Sequence, residues 1–499
     1  MLIMLFMSPS CTPSVMFLLA ACALNAQVGV EGVLPSSVSS TQVQSAIGND
    51  ESNAGLEKSA VRLQSLLREE GYFLATVIVD KLKDGRQGLR VFPGIFDGKS
   101  AKVSGTGLRI SASLVQAIAL PVTSSGVPVT ADQLAGVTKR LNALPGVAAK
   151  AQVGPGSAEG TAQLTIGIAE DDARVYRLSA DNFGTKALGE NRATLRAEFN
   201  GDASRLDVRG TVSDASYASA GLGYKWATGV EGSVSRVGLS VSRYTTEELS
   251  PIKGDSVSLE GGRTGFLSVG TKGSLKLVTD WSLRRTTSTG VSSGVRLDGA
   301  ETAGFTLGFD GDRKDGLLGG GTNIFSVSAT GGYTHSDNAL IDGGFARYNY
   351  SLGRFQRLPA GFLLGVNLSG QESSSTLESS EQFAVGGPSG VRSYTSNAAA
   401  GDSAYLFTVD VSHELADLKS WGVLEGVVFF DQGKVTGDRF ASTPDGSNLI
   451  KSVGLGLAIV DNNRFKASVQ WARRVGTPTS TVGTEEKTSR VWASAQFTY

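Results

Sequence analysis

Arg192-Ala193-Thr194-Leu195-Arg196-Ala197-Glu198-Phe199 decides the fold, because its side chains alternate with a period of two. Ala193, Leu195, Ala197 and Phe199 share one face, and Arg192, Thr194, Arg196 and Glu198 share the other. A strand of this kind has one face suited to lipid and one suited to a wet lumen. Arg205–Ser213 repeats the pattern, with Leu206, Val208 and Val212 opposite Arg205, Asp207, Arg209 and Thr211. It returns in Ser274–Arg284, Tyr405–Leu415 and Val491–Tyr499. Sixteen such segments follow residue 172, starting near residues 175, 192, 205, 217, 236, 256, 274, 302, 323, 345, 361, 405, 423, 451, 464 and 490. A soluble sandwich also alternates but rarely sustains so many strands. Bacterial barrels have even strand counts, so residues 171–499 are expected to form a transmembrane β-barrel of 16 antiparallel strands, with fourteen and eighteen left open by the boundaries.

Working toward the N-terminus, the periodicity changes. From Leu56 to Arg68 the apolar positions Leu56, Ala60, Leu63 and Leu67 recur at helical spacing, and Gly71-Tyr72 closes the helix before strand-like Ala75–Val79 and Gly88–Phe92. The order then repeats. Ser111–Leu120 and Ala131–Leu144 read as helices, the second stopped by Pro145-Gly146, and Ala148–Val153 and Ala162–Ile168 read as a strand pair. Two small α+β domains are expected, residues 27–98 and 99–170.

Ahead of them lies an apolar stretch that includes Val15 to Leu24 and ends in small residues, with Ala26 as a cleavage point; residues 1–26 are read as a signal peptide. No Lys or Arg precedes Lys58, so the positive n-region is missing. Leu19-Ala20-Ala21-Cys22 supports a second reading, a lipoprotein box with Cys22 acylated. The two cysteines, Cys11 and Cys22, both fall in this stretch, which suits passage through an oxidising periplasm. Beyond it no run of about 18 apolar residues occurs, so only a closed barrel would satisfy the backbone in a bilayer. Lys+Arg is 46 against Asp+Glu 47, and no long basic run tracks phosphates, which argues against nucleic acid as a partner.

The connection between the eleventh and twelfth segments runs from about Gln371 to Ala404 and contains Gly386-Gly387-Pro388-Ser389-Gly390-Val391-Arg392-Ser393-Tyr394. Long structureless loops in compact architectures are usually functional. Its glycines allow sharp turns around one arginine. An arginine inside a wet barrel needs a carboxylate, since its planar fork pairs bidentately and its charge does not titrate away. Asp431, in Phe429-Phe430-Asp431-Gln432-Gly433, is the obvious partner if Val427, Phe429 and Asp431 share the inner face with Glu425.

These segments resemble the two-partner secretion transporters, which export haemolysins and filamentous haemagglutinins and belong to the superfamily of outer-membrane assembly factors. The family marks are a Val-Arg-Gly-Tyr-type loop tip, here Val391-Arg392-Ser393-Tyr394 with Ser393 replacing the commoner residue, and a Phe-x-Asp-x-Gly strand, here Phe429, Asp431 and Gly433. Asp181-Asn182-Phe183-Gly184 is similar to the family's first-strand motif, and Leu141-Asn142-Ala143-Leu144-Pro145-Gly146-Val147 to its second periplasmic module. The resemblance covers essentially the whole chain after the leader. It implies two polypeptide-transport-associated (POTRA) domains in the periplasm that capture an unfolded client exoprotein, haemagglutinin- or haemolysin-like, and a barrel in outer-membrane lipid that conducts it outward. It also implies a loop folded into the lumen and held by Arg392 and Asp431, with Gly386 and Gly387 shaping its tip. Phe497 and Tyr499 resemble the terminal signal read by the barrel-assembly machinery, and also read as interfacial girdle residues. Residues 27–55 leave little room for the plug helix that family members often carry. No cofactor and no metal is implied.

Other readings have their own residues. A diffusion porin would use the same inward Arg, Asp, Glu and Ser residues, although porins have no periplasmic modules. A general assembly factor tends to carry more modules than two. An enzyme reading rests on Gly254-Asp255-Ser256-Val257 and Asp410-Val411-Ser412-His413, which resemble the Ser and Asp-x-x-His blocks of a lipase family, but Asp410 and His413 fall on opposite faces of one strand, and His335 is the only other histidine. No catalytic residue is therefore assigned.

Overall fold

A computed structural model describes residues 28–35, 37–124, 128–246, 250–396, 398–436, 448–476 and 487–499. The signal peptide, Ala26 and Cys22 lie outside the described residues.

In the N-terminal module, helices Ser40–Ile47 and Asn53–Glu69 pack on a three-stranded sheet ordered Val30–Gly32, Gln87–Phe92, Thr76–Lys81. The first helix starts at a capping box: Ser39 Oγ accepts from Gln42 N–H at 3.3 Å, while Gln42 Oε1 accepts from Ser39 N–H at 2.9 Å. Ser52 caps the second through the Gly55 N–H at 3.1 Å. Leu56, Ala60, Leu63 and Leu67 form one buried stripe that closes on Val43, Ile47, Val77, Leu89 and Val91. Each buried Leu or Val contributes on the order of 1.5–3 kcal/mol, which holds the small sheet to its helices. Helix Ser40–Ile47 and strand Val30–Gly32 use the segment before residue 55, so this segment belongs to the module itself.

The second mixed sheet is four-stranded. Ile95–Phe96 pairs in parallel with Thr161–Ala162, and Lys102–Ser104 and Val147–Pro155 flank the strand Thr161–Glu170. A boundary drawn at residue 98 would cut an edge strand from this sheet. Its helices are Ala112–Thr123 and Ala131–Asn142.

From Arg174 the chain forms a closed ring of sixteen strands, each hydrogen-bonded to its sequence neighbours, with strand Ser489–Thr498 closing on Arg174–Asp181. The sixteen-strand expectation is met, and the strand starts agree with the alternation to within a few residues except the eighth, which begins at Arg296. Outside, Leu195, Val208, Val212, Val428 and Leu455 are among many exposed apolar side chains, as a lipid-facing wall requires. Inside, carboxylates and arginines face the lumen in pairs. Glu198, 2% exposed, meets Arg177, Arg196 and Arg205, the last two at 3.2 Å. A cavity of about 780 Å³ is bordered by Arg196, Arg209, Arg236, Glu260 and Arg284.

The ring is not equally stitched. Its closing ladder runs only from Ser494↔Asp181 to Thr498↔Arg177, whereas Ile252–Val269 and Gly273–Gly290 pair along their whole lengths. Tyr176 and Tyr499 extend the closure by exchanging hydrogen bonds at 2.9 and 2.8 Å. At the other end Asn182 lends its side chain, accepting from Ala493 N–H at 2.8 Å and donating to Val491 C=O at 2.9 Å.

Candidate functional site

The inner wall is prepared by the strand Val423–Thr436. Its alternation puts Val428 outward, while Phe429 and Asp431 point inward and are buried. The Phe429 ring lies across the neighbouring strand at Gly454, where an added Cβ would come within 2.3 Å of Cζ. Gly433 makes a second shallow place: a Cβ there would meet Val385 Cβ at 2.8 Å and Val391 Cγ2 at 3.0 Å. The glycine lets the loop tip sit directly on the strand backbone.

The connection between strands Leu363–Ser373 and Ser403–Asp417 reads as structureless in the sequence, and the structure corrects this. It holds a 3₁₀ turn, Ser379–Glu381, and a two-stranded ribbon of Phe383–Ala384 with Ala400–Gly401. Short polar-flanked pieces of this kind leave no periodicity to read in sequence. At the tip, Gly387 adopts φ +110°, and the chain returns so that Val391 N–H donates to Val385 C=O at 2.7 Å. Gly386 allows close passage of Thr395 C=O, 2.5 Å from where a Cβ would stand. Val385, Val391, Tyr394 and Ala399 then form a small apolar core with Leu406, Val435 and Ile450 of the wall.

Arg392, 7% exposed, meets Asp431, which is fully buried. Its Nε donates to Asp431 Oδ2 at 3.0 Å and Nη2 to Oδ1 at 2.7 Å, while its backbone N–H donates to Oδ2 at 3.1 Å. Ser452 Oγ donates to the same carboxylate at 2.8 Å. Nη2 also reaches Asp410 at 2.7 Å, and the guanidinium carbon lies 3.4 Å from the centroid of the Phe429 ring. One cation is thus held between two carboxylates and over an aromatic face, a geometry that a planar guanidinium satisfies and an ammonium does not. Removing one partner of such a buried pair costs about 3–5 kcal/mol, because the other charge is left uncompensated.

The tip also touches both sides of the ring's closure. Trp492, 1% exposed, donates its indole N–H to Arg392 C=O at 2.6 Å. Ser396 Oγ donates to Phe183 C=O at 2.7 Å, and the Phe183 and Trp492 rings meet edge to face at 5.9 Å. Tyr394 is buried beneath Arg474, whose guanidinium is 4.3 Å from the ring centroid, and Ser393 is fully buried. No sequence motif marks Asp410, Ser452, Trp492 or Arg474 for this site. Only the inward phase of their strands could have signalled them.

Phe497 and Tyr499 stand apart from this cluster. Both are outward and exposed, with Phe497 packed on Phe465 at 4.8 Å. The lipase-like pattern does not assemble: Asp410 holds Arg392, His413 stacks on Phe362 at 4.4 Å, and Asp255 pairs with Arg243.

Residues 317–459, a span that contains the loop tip and its partner strand, match the family model described as haemolysin secretion/activation protein ShlB/FhaC/HecB. The chain is similar to the heme/hemopexin transporter protein HuxB of Haemophilus influenzae (strain 86-028NP), 28% identical over 372 residues, covering 68% of this chain. It spans 64% of that curated relative's length. In fold it is similar to CdiB from Escherichia coli, with TM-score 0.74, 16% identity, and coverage of 97% of this chain and 93% of that one. CdiB from Acinetobacter baumannii gives TM-score 0.64 at 17% identity, covering 90% and 82%.

Proposed function

We propose that the chain is a member of the haemolysin secretion/activation family whose model its residues 317–459 match, and that its outer-membrane β-barrel, preceded in sequence by two POTRA-like modules, carries a secreted client exoprotein from the periplasm to the cell surface as the transporter of a two-partner pair. The family is one of transporters, not enzymes. The observation that carries this reading is the loop tip seated on the inner wall through Arg392 and Asp431, inside the span that matches the family. Capture has a physical route. Among the described residues, strand Thr76–Lys81 is paired on one side only, and a groove of about 510 Å³ beside it is lined by Ile78, Phe92, Val153 and Pro155. An extended client segment adds to such an edge through backbone hydrogen bonds. Folding of the client outside makes the transfer downhill without ATP.

The client class we propose is a haemagglutinin- or haemolysin-like exoprotein. The name of the Haemophilus relative favours a second version, a client that handles heme or hemopexin. Co-expression with an exoprotein encoded beside this chain tests the whole reading. Deleting residues 95–170 should abolish its appearance in the medium while the barrel still inserts and stays heat-modifiable; unchanged export would overturn capture by this module, and no export even by the parent would return the chain to the diffusion-porin reading. Retention of the exported client on immobilised hemin separates the two client classes.

A further inference from the structure

The loop is held at its root as well as its tip, and by a different part of the wall. Glu381 closes the 3₁₀ turn at the start of the loop, and its carboxylate is 7% exposed. One oxygen lies 3.2 Å from Arg284 Nη1 and the other 2.8 Å from Arg347 Nη2. Arg284 also donates to Ser380 C=O at 3.2 Å. Gln371, 1% exposed, donates to Glu381 C=O at 3.0 Å and to Asp402 C=O at 3.2 Å, joining the two ends of the loop. Its own Oε1 accepts from Arg347 at 3.2 Å and from Asn349 at 2.8 Å.

Ring order places these contacts. Arg284 is on the seventh strand, Gly273–Gly290, and Arg347 on the tenth, Gly343–Arg357. The tip is held by the twelfth, thirteenth, fifteenth and sixteenth strands through Asp410, Asp431, Arg474 and Trp492. In a ring of sixteen, the seventh and fifteenth strands stand opposite one another. Strands about 4.8 Å apart and tilted about 40° give a ring roughly 32 Å across. Because the chain doubles back at Val385 to Val391, the extended backbone between the two fastenings is Glu381–Val385, about 14 Å at most, and the long side chains of Arg284 and Arg392 supply the remaining span.

We propose that Glu381 is a second positioning residue of the lumen, which with Arg284 and Arg347 fastens the loop as a strap between opposite walls, so that releasing the tip alone does not clear the channel. This deepens the transporter reading and rests on it, but its readout is conductance and not export. Glu381 is a loop carboxylate buried between two wall arginines, and the two fastenings share no side chain.

The test uses the full chain in planar bilayers, comparing the parent with Glu381→Gln, Arg392→Ala and the double variant. Either single variant is expected to stay largely closed, the double variant to raise the open fraction about tenfold or more over Arg392→Ala, and Glu381→Asp on the Arg392→Ala background to restore much of the closed behaviour. A double variant whose open fraction equals that of Arg392→Ala, or an Arg392→Ala variant already fully open, would overturn the proposal. If Glu381→Gln does not insert, Glu381→Cys with Arg347→Cys on the Arg392→Ala background supplies the answer. Bridging the thiols with a reducible crosslinker should suppress the openings and reduction should return them; openings indifferent to the bridge would overturn it. Export of a client is measured in parallel, and its failure in the parent counts against the transporter reading alone.

Discussion

Gly433 carries more of the site than its size suggests. Any side chain there enters space already held by Val385 and Val391, so Gly433→Ala is expected to lift the loop tip at a cost of about 1–3 kcal/mol. Denaturant unfolding of the inserted protein should show the loss, and Val385→Gly should recover part of it, since two of the three close contacts are to Val385. Arg392 and Asp431 can be read from sequence as a pair, because a luminal guanidinium requires a carboxylate and the two motifs supply one of each. Asp410 cannot be read so easily. It is eighteen positions after Arg392 in a block that suggests other chemistry, and only the register that sets it opposite Phe429 turns it toward the same cation. Glu381 is less legible still, since its arginines come from strands about 97 and 34 residues away.

At the scale of elements, alternation makes the wall legible, because a strand between lipid and water has no other way to satisfy both faces. The short pieces are not: Val30–Gly32, Ile95–Phe96, Lys102–Ser104 and the helix Ser40–Ile47 are too brief to develop a period. The closing ladder adds a different lesson, since one side chain does the work of backbone there. Asn182→Ala removes two hydrogen bonds worth about 0.5–1.5 kcal/mol each and is expected to speed amide exchange in Ser489–Thr498. Exchange in Gly273–Gly290, paired along its full length on both sides, should not change; acceleration in both strands would mean general loosening and not a local stitch.

For the whole molecule, sixteen strands could be counted before any were seen, because each is a repeat of one physical problem. What could not be counted was how tightly each neighbour is joined. Every strand of the ring pairs within residues 174–498, so residues 171–499 alone are expected to insert and resist detergent at room temperature, shifting on a gel only after heating. A protein lacking that shift would show that the modules are needed to build the wall and not only to feed it. The short ladder between Arg174–Asp181 and Ser489–Thr498 also sets a clock. The first strand has its second partner only once residues 494–499 exist, more than 300 residues later. An exported chain builds its ring only at the membrane, so the first strand's outer edge stays without its second partner until the last strand has been placed. An open edge is a template for the wrong neighbour. The chain therefore needs an escort for a delay that its own topology imposes.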